Sequence, residues 1–388
     1  MSDHLLSVPS LAELQKHRSE KWRGFSHDIL PLPVAEMDFP VAEPIREILA
    51  EMVATSDMGY LGSIPEMGTS FSGFAKRRWS WDVNPAFVRI ATDVGVAVVE
   101  LVRIFAKPGE KVLISSPVYQ NFYTWIRETK VEMVDVPFLK NASEADGTGW
   151  SHDWDGIEKA YQNGLKVHLL CSPHNPLGKV YSKEDLLRIV ALAKKYGTTV
   201  ISDEIHAPLT FKEQPFIPFL ALGDDAAEVG VAVTAASKGW NIAGLKCAII
   251  VSQNQKMHEK LNELPPAMHY RASLLGAFAT VAAFEKGEPW LDAVLVQLDE
   301  NRKLISNLIE SRIPAIAYSA PHSSYLAWLD VSKLNLGEDP GAALIERAKV
   351  AFNPGHIYGD LGKNYVRLNF ATSPTIITEA FERIARAL

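Results

Sequence analysis

The sequence predicts an α/β fold, a mostly parallel, doubly wound sheet followed by a smaller α+β unit, on three observations. From about residue 90 to about 285, short β-rich apolar runs alternate with amphipathic helical stretches. Past that point the texture changes to one long helix and two separated strands. The 388 residues are 47% hydrophobic, enough to bury a large core as one big domain with a lesser companion.

In chain order, the N-terminal ~40 residues offer no strand partner nearby and are expected to pack with the C-terminal piece. A helix runs to Phe105, then Val112–Ser116 reads as a buried strand, Asn121–Glu128 as a helix and Val131–Pro137 as a strand. Lys166–Ser172 (KVHLLCS) is the next strand, and Lys183–Tyr196 a helix with apolar residues three and four apart. Thr199–Asp203, Gly230–Ala235 and Ala248–Ser252 complete the set. In the final unit Pro289–Arg312 reads as one long helix, Tyr325–Val331 and Tyr365–Ala371 as strands, with a closing helix from Pro374. Linkers near 40–45 and 280–290 divide the chain into an N-terminal segment (1–42), a large domain (43–283) and a small C-terminal domain (284–388).

A net charge of −7 and a pI near 5.9 argue against a nucleic acid partner, which selects for a basic excess. Any anion site must therefore be local. Cys171 and Cys247 are the only cysteines, so neither a disulfide framework nor a cysteine metal cluster is expected. No signal-length apolar region opens the chain, and no uncharged run of about 18 apolar residues follows. The expectation is a cytoplasmic protein with no membrane partner and no metal.

Three chemically informative points fall at strand ends, where an open α/β sheet collects its ligands. Lys238 follows an apolar strand in SKGWNIAGL, a place where desolvation lowers a lysine pKa and prepares it to form an imine. Asp203 closes the strand before Glu204 and His206, and Asn175 lies in the rigid loop CSPHNPLG. Singly these are ordinary: a lysine starting a loop, an aspartate capping a helix, an Asn-Pro turn. Together an acid, an amide and a lysine supply what a pyridine aldehyde cofactor needs. The acid keeps the ring nitrogen protonated, the amide binds the ring oxygen and the lysine holds the aldehyde.

Seven segments stand in one order: VAEMDFP (34–40), GYLGSIPE (59–66), SPVYQNFY (116–123), CSPHNPLGK (171–179), SDEIHAPL (202–209), SKGWNIAGLK (237–246) and NPGHIYG…YVRLNFATSP (353–374). With them the chain resembles the fold-type-I pyridoxal-5′-phosphate (PLP) enzymes of the aminotransferase class I/II superfamily, and within these the MalY/PatB-like cystathionine β-lyase (C–S lyase) branch. The resemblance covers nearly the whole chain and implies a seven-stranded-type, mostly parallel sheet in the PLP-binding domain. It makes Lys238 the Schiff-base lysine and proton shuttle, and Asp203 the partner of the ring nitrogen. Asn175 becomes the ligand of the ring oxygen with His206 beside it, and Tyr119 the ring that stacks on the cofactor. The phosphate is expected on Gly95, Val96 and Ala97 at a helix N-terminus, aided by Ser237. Arg367 is implied to grip the substrate carboxylate, as a two-pronged guanidinium can. Tyr60 is implied to reach the phosphate and substrate of a neighbouring subunit, hence a homodimer with shared active sites. Two positions depart from many aminotransferase relatives, which carry a phosphate-binding hydroxyl three residues before the lysine and an arginine eight after it. Here those are Ala235 and Lys246, so a phosphate role for Lys246 is carried by charge alone.

The activity this implies is β-elimination of a thiol from an L-cysteine-derived amino acid, leaving pyruvate and ammonia. A class I/II aminotransferase is the alternative, since both routes use the same lysine, aspartate and arginine. A non-catalytic effector-binding protein of this fold ranks third: about 35 residues before VAEMDFP cannot house a DNA-binding module. A nicotinamide enzyme is disfavoured because no G-x-G-x-x-G follows a strand.

Overall fold

The computed structural model describes residues 6–140 and 147–388. Its larger sheet contains β1 (Val88–Ala91), β2 (Lys111–Ile114), β3 (Glu132–Asp135), β4 (Leu165–Cys171), β5 (Thr199–Asp203), β6 (Gly230–Thr234) and β7 (Ala248–Val251). Their order is β1-β7-β6-β5-β4-β2-β3. β2 to β6 run parallel, and β7 is antiparallel to both of its neighbours. The central strands β5, β6 and β7 are almost continuously buried, whereas the edge strand β3 is mostly exposed. Burial on both faces explains the unbroken apolar runs in the sequence, as expected for a sheet covered by helices on each side. Ile201, Val231, Val233 and Ile250 face Val98, Leu101 and Phe122. Val200, Ala232, Ile249 and Val251 belong to the opposite layer, with Phe71, Phe74, Ile189 and Phe284.

Helix Lys183–Tyr196 begins and ends where read, because Ser182 and Asp185 form a capping box and Gly197 closes it at φ 67°. Ser373 caps the last helix, Pro374–Ala387, by accepting the Ile376 amide. A second sheet holds β8 (Ala317–Tyr318), β9 (Leu326–Asp330), β10 (Asn353–Pro354) and β11 (Tyr365–Asn369), antiparallel in the order β8-β9-β11-β10. Leu30–Pro31 pairs parallel with Val350–Ala351 in a separate two-stranded sheet. No described helix is long and apolar enough to cross a membrane.

The reading left out whole helices, among them Glu43–Ala54, Pro65–Trp79 and Leu274–Lys286, and several shorter elements also differ. β1 carries Arg89 in its centre and gave no clean apolar run. β6 stops at Thr234, one residue short of the read strand, and Lys238 sits in a one-turn helix, Ala236–Gly239. A short hairpin, Leu139–Lys140 with Trp150–Ser151, is too brief for periodicity to register.

Candidate active site

The parallel strands deliver their C-terminal ends to one side of the sheet, and the candidate residues gather there. Asp203 ends β5 fully buried, its Oδ1 accepting the Ile205 amide at 3.2 Å. Burial pushes its carboxyl up to about 7, against the pull of that amide and of Lys238. Glu204, its neighbour in sequence, turns away and accepts the Phe219 amide and the Ser202 hydroxyl. The acidic pair thus divides into one group facing the site and one bracing a loop.

Lys238 Nζ donates to the Ala35 carbonyl at 2.7 Å. Desolvation, then the Arg367 charge, lowers its pKa to about 8, with Glu36 and Asp203 pulling the other way. The turn after it is anchored from two sides. Trp240 is fully buried and donates to the Gly287 carbonyl at 2.9 Å, while Asn241 exchanges two 2.8 Å hydrogen bonds with the Met37 backbone.

Arg367, on β11, is buried. Its Nη1 donates to Asn175 Oδ1 at 3.1 Å and its Nη2 to the Pro33 carbonyl at 2.9 Å, and it lies over the Tyr358 ring at 5.1 Å. Its Nε has no partner. His206 is buried with Nδ1 unpartnered, and burial, Lys238 and Arg367 together push its pKa down to about 3. The Tyr119 hydroxyl accepts from Asn121 Nδ2 at 2.9 Å, and the ring meets Trp125 edge-on. Burial raises its pKa, with Arg367 and Asp203 both near enough to act on it.

Gly95, Val96 and Ala97 lie in the first turn of helix Val94–Phe105. The Val96 amide, however, donates to the Asp93 side chain, and Lys246 pairs with the same carboxylate at 3.1 Å. Ser237 is partly exposed beside Lys238. Tyr60 is fully exposed on the 57–64 loop and does not enter its own chain's site.

Sequence reading missed the strap that closes the site. Residues 30–39 are buried apart from Val34, Ala35 and Glu36, and the backbone there is held from several sides. Tyr325 donates to the Ala35 carbonyl at 3.0 Å, and Asn369 to the Val34 and Glu36 carbonyls at 2.6 Å each. The VAEMDFP segment was the available signal, but nothing in its letters says that its carbonyls do the work.

The set fits a pyridine aldehyde phosphate. A desolvated carboxylate gains from a cationic ring nitrogen, an imidazole nitrogen and a guanidinium N–H await partners, and a lysine of lowered basicity stands between them. Such a site serves amine–carbonyl chemistry on a substrate that carries a carboxylate. Residues 35–384 match the family model described as aminotransferase class I and II, and the chain belongs to that family. It is 33% identical to cystathionine β-lyase of Corynebacterium glutamicum, over 99% of this chain and 100% of that one. It is likewise 33% identical to cystathionine β-lyase PatB of Bacillus subtilis, over 93% of each. Among solved structures it superposes on cystalysin of Treponema denticola, which contains a pyridoxal 5′-phosphate cofactor, with TM-score 0.91 and 28% identity over 99% of this chain and 98% of that one.

Proposed function

We propose that this chain is a PLP-dependent C–S β-lyase that eliminates a thiol from an L-cysteine-derived amino acid, giving pyruvate and ammonia. One observation carries the reading. Lys238 feels the charges of both Asp203 and Arg367, and Arg367 donates to Asn175, in a chain that matches cystathionine β-lyases over nearly its whole length.

When bound, PLP supplies the electron sink for the pair left as the substrate α-carbon loses its proton. Lys238 is the residue to hold the cofactor and to take and return that proton, since near pH 8 its amine is neutral half the time. Asp203 would keep the ring nitrogen protonated, and Asn175 would bind the ring oxygen with His206 beside it. Tyr119 would stack on the ring, while Gly95, Val96, Ala97, Ser237 and Lys246 would hold the phosphate. Arg367 binds the substrate α-carboxylate with Asn175 beside it, and its contacts to Asn175 and Pro33 fix the guanidinium before substrate arrives. Tyr60 completes the site of a partner subunit in a homodimer. Residues 43–283 form the cofactor-binding domain, and 284–388 with the 1–42 segment the small one. Both described cysteines are free thiols, in keeping with a reducing cytoplasm.

The test is incubation of the purified protein with L-cystathionine, and separately with an amino acid plus a 2-oxo acid. Pyruvate and thiol are expected from the first and no new amino acid from the second; the reverse makes the chain an aminotransferase. Lys238→Ala is expected to lose the visible absorption band of the lysine-linked cofactor together with turnover. A yellow, active Lys238→Ala protein would remove Lys238 from the role.

A further inference from the structure

The seat assigned to the cofactor phosphate carries a negative charge of its own. Asp93 is the N-cap of helix Val94–Phe105, and its Oδ1 accepts the Val96 amide at 2.8 Å. Its Oδ2 lies 3.1 Å from Lys246 Nζ. A single carboxylate therefore takes one N–H of the seat and also holds the cation that replaces the family's phosphate-binding arginine.

The helix does not require that charge. Asn and Ser cap helix N-termini about as well as Asp, so a neutral residue would satisfy the Val96 amide equally. Lys246 cannot escape by moving its backbone. It sits at φ 51°, and the preceding Leu245 carbonyl is pressed against Gly276, where a Cβ would lie 2.0 Å from the oxygen. Only its side chain is free to choose between anions, and both members of the Lys246–Asp93 pair are solvent-accessible enough to exchange partners.

We propose that Asp93 sets the affinity for the cofactor phosphate, competing with it for the Val96 amide and for Lys246, so that PLP is held more loosely than a neutral cap would hold it. The occupied fraction then follows the supply of free cofactor by mass action. This rests on the reading of Gly95–Ala97 as the phosphate seat, and it is independent of which reaction follows.

The experiment strips cofactor from the full chain and titrates it with PLP and with pyridoxal, which lacks the phosphate, following the visible absorption. Wild type should prefer PLP. Asp93→Asn, which keeps the cap and removes the charge, should bind PLP roughly five- to tenfold more tightly, the scale of one unit charge a few ångströms away in a solvated site. Pyridoxal affinity should stay unchanged. Asp93→Ser repeats the test with a second neutral cap. Lys246→Met should cost more PLP affinity in the Asp93→Asn background than in wild type, because only there is the ammonium released. Unchanged or weaker PLP binding in both neutral variants overturns the proposal, as does equal tightening toward pyridoxal. A wild type with no preference for PLP over pyridoxal overturns the phosphate seat itself, and a failed lyase assay touches neither.

Discussion

Lys238 shows how far a residue's chemistry is set by its surroundings. A lysine amine in water is protonated up to about pH 10.4. Here burial and the nearby Arg367 favour the neutral form and bring the midpoint to about 8. Only the neutral amine attacks an aldehyde. In the cofactor-stripped protein, capture of pyridoxal at Lys238 should therefore speed up as pH rises from 6 toward 8 and level off above it. Stopped-flow absorbance checks this; a rate still climbing between pH 9 and 10 would mean an ordinary lysine. Lys238 and Asp203 stood out in the sequence as ionisable side chains at strand ends, whereas Arg367 was singled out only by the resemblance. The fold separates Asp203 from its neighbour Glu204, whose carboxylate accepts the Phe219 amide. The carbonyls of Pro33 and Ala35 had no signature at all, since every residue carries one.

Among the elements, the 30–39 strap depends on an ion pair remote from the chemistry. Lys21 Nζ lies 2.7 Å from Asp38 Oδ2 with both side chains sealed from solvent, and Trp22 Nε1 donates to Asp38 Oδ1 at 3.0 Å. Ser19 in turn donates to the Glu36 carboxylate. Removing one partner of a buried pair strands the other charge, at roughly 3–5 kcal/mol, whereas replacing both by apolar groups is often close to neutral. Asp38→Asn should lose stability on that scale in urea unfolding, and Lys21→Met with Asp38→Leu should recover most of it. Equal losses in the single and double variants would show that packing, not charge, holds the strap. Periodicity could not have found this device, because the helix bearing Lys21 spans only Glu20–Arg23. The same brevity hid Ala236–Gly239, while the 14-residue helix Lys183–Tyr196 was read to the residue.

At the scale of the whole molecule, the sheet was legible because parallel strands buried on both faces leave continuous apolar runs. Strand order and the reversed direction of β7 were not, since they are decided by which neighbours close the core. One surface is left unexplained by a single chain. Residues 53–60 are exposed throughout, including Val53, Met58 and Tyr60, and the chain turns inward again only at Leu61 and Ile64. Val53, Met58 and Tyr60 together would serve as a contact surface for a second copy of the chain. If that contact is a twofold dimer in which Tyr60 completes the partner's site, complementary defects should cancel. Lys238→Ala spoils the site on its own chain, and Tyr60→Ala spoils the site across the interface. A hybrid of the two therefore holds one site with both lesions and one with neither. Free exchange of an equal mixture makes half the dimers hybrids, so activity should return to roughly a quarter of wild type. Subunit exchange is verified with differently tagged chains. Demonstrated hybrids without recovered activity would place Tyr60 in the service of its own chain, and the shared site would have to be given up.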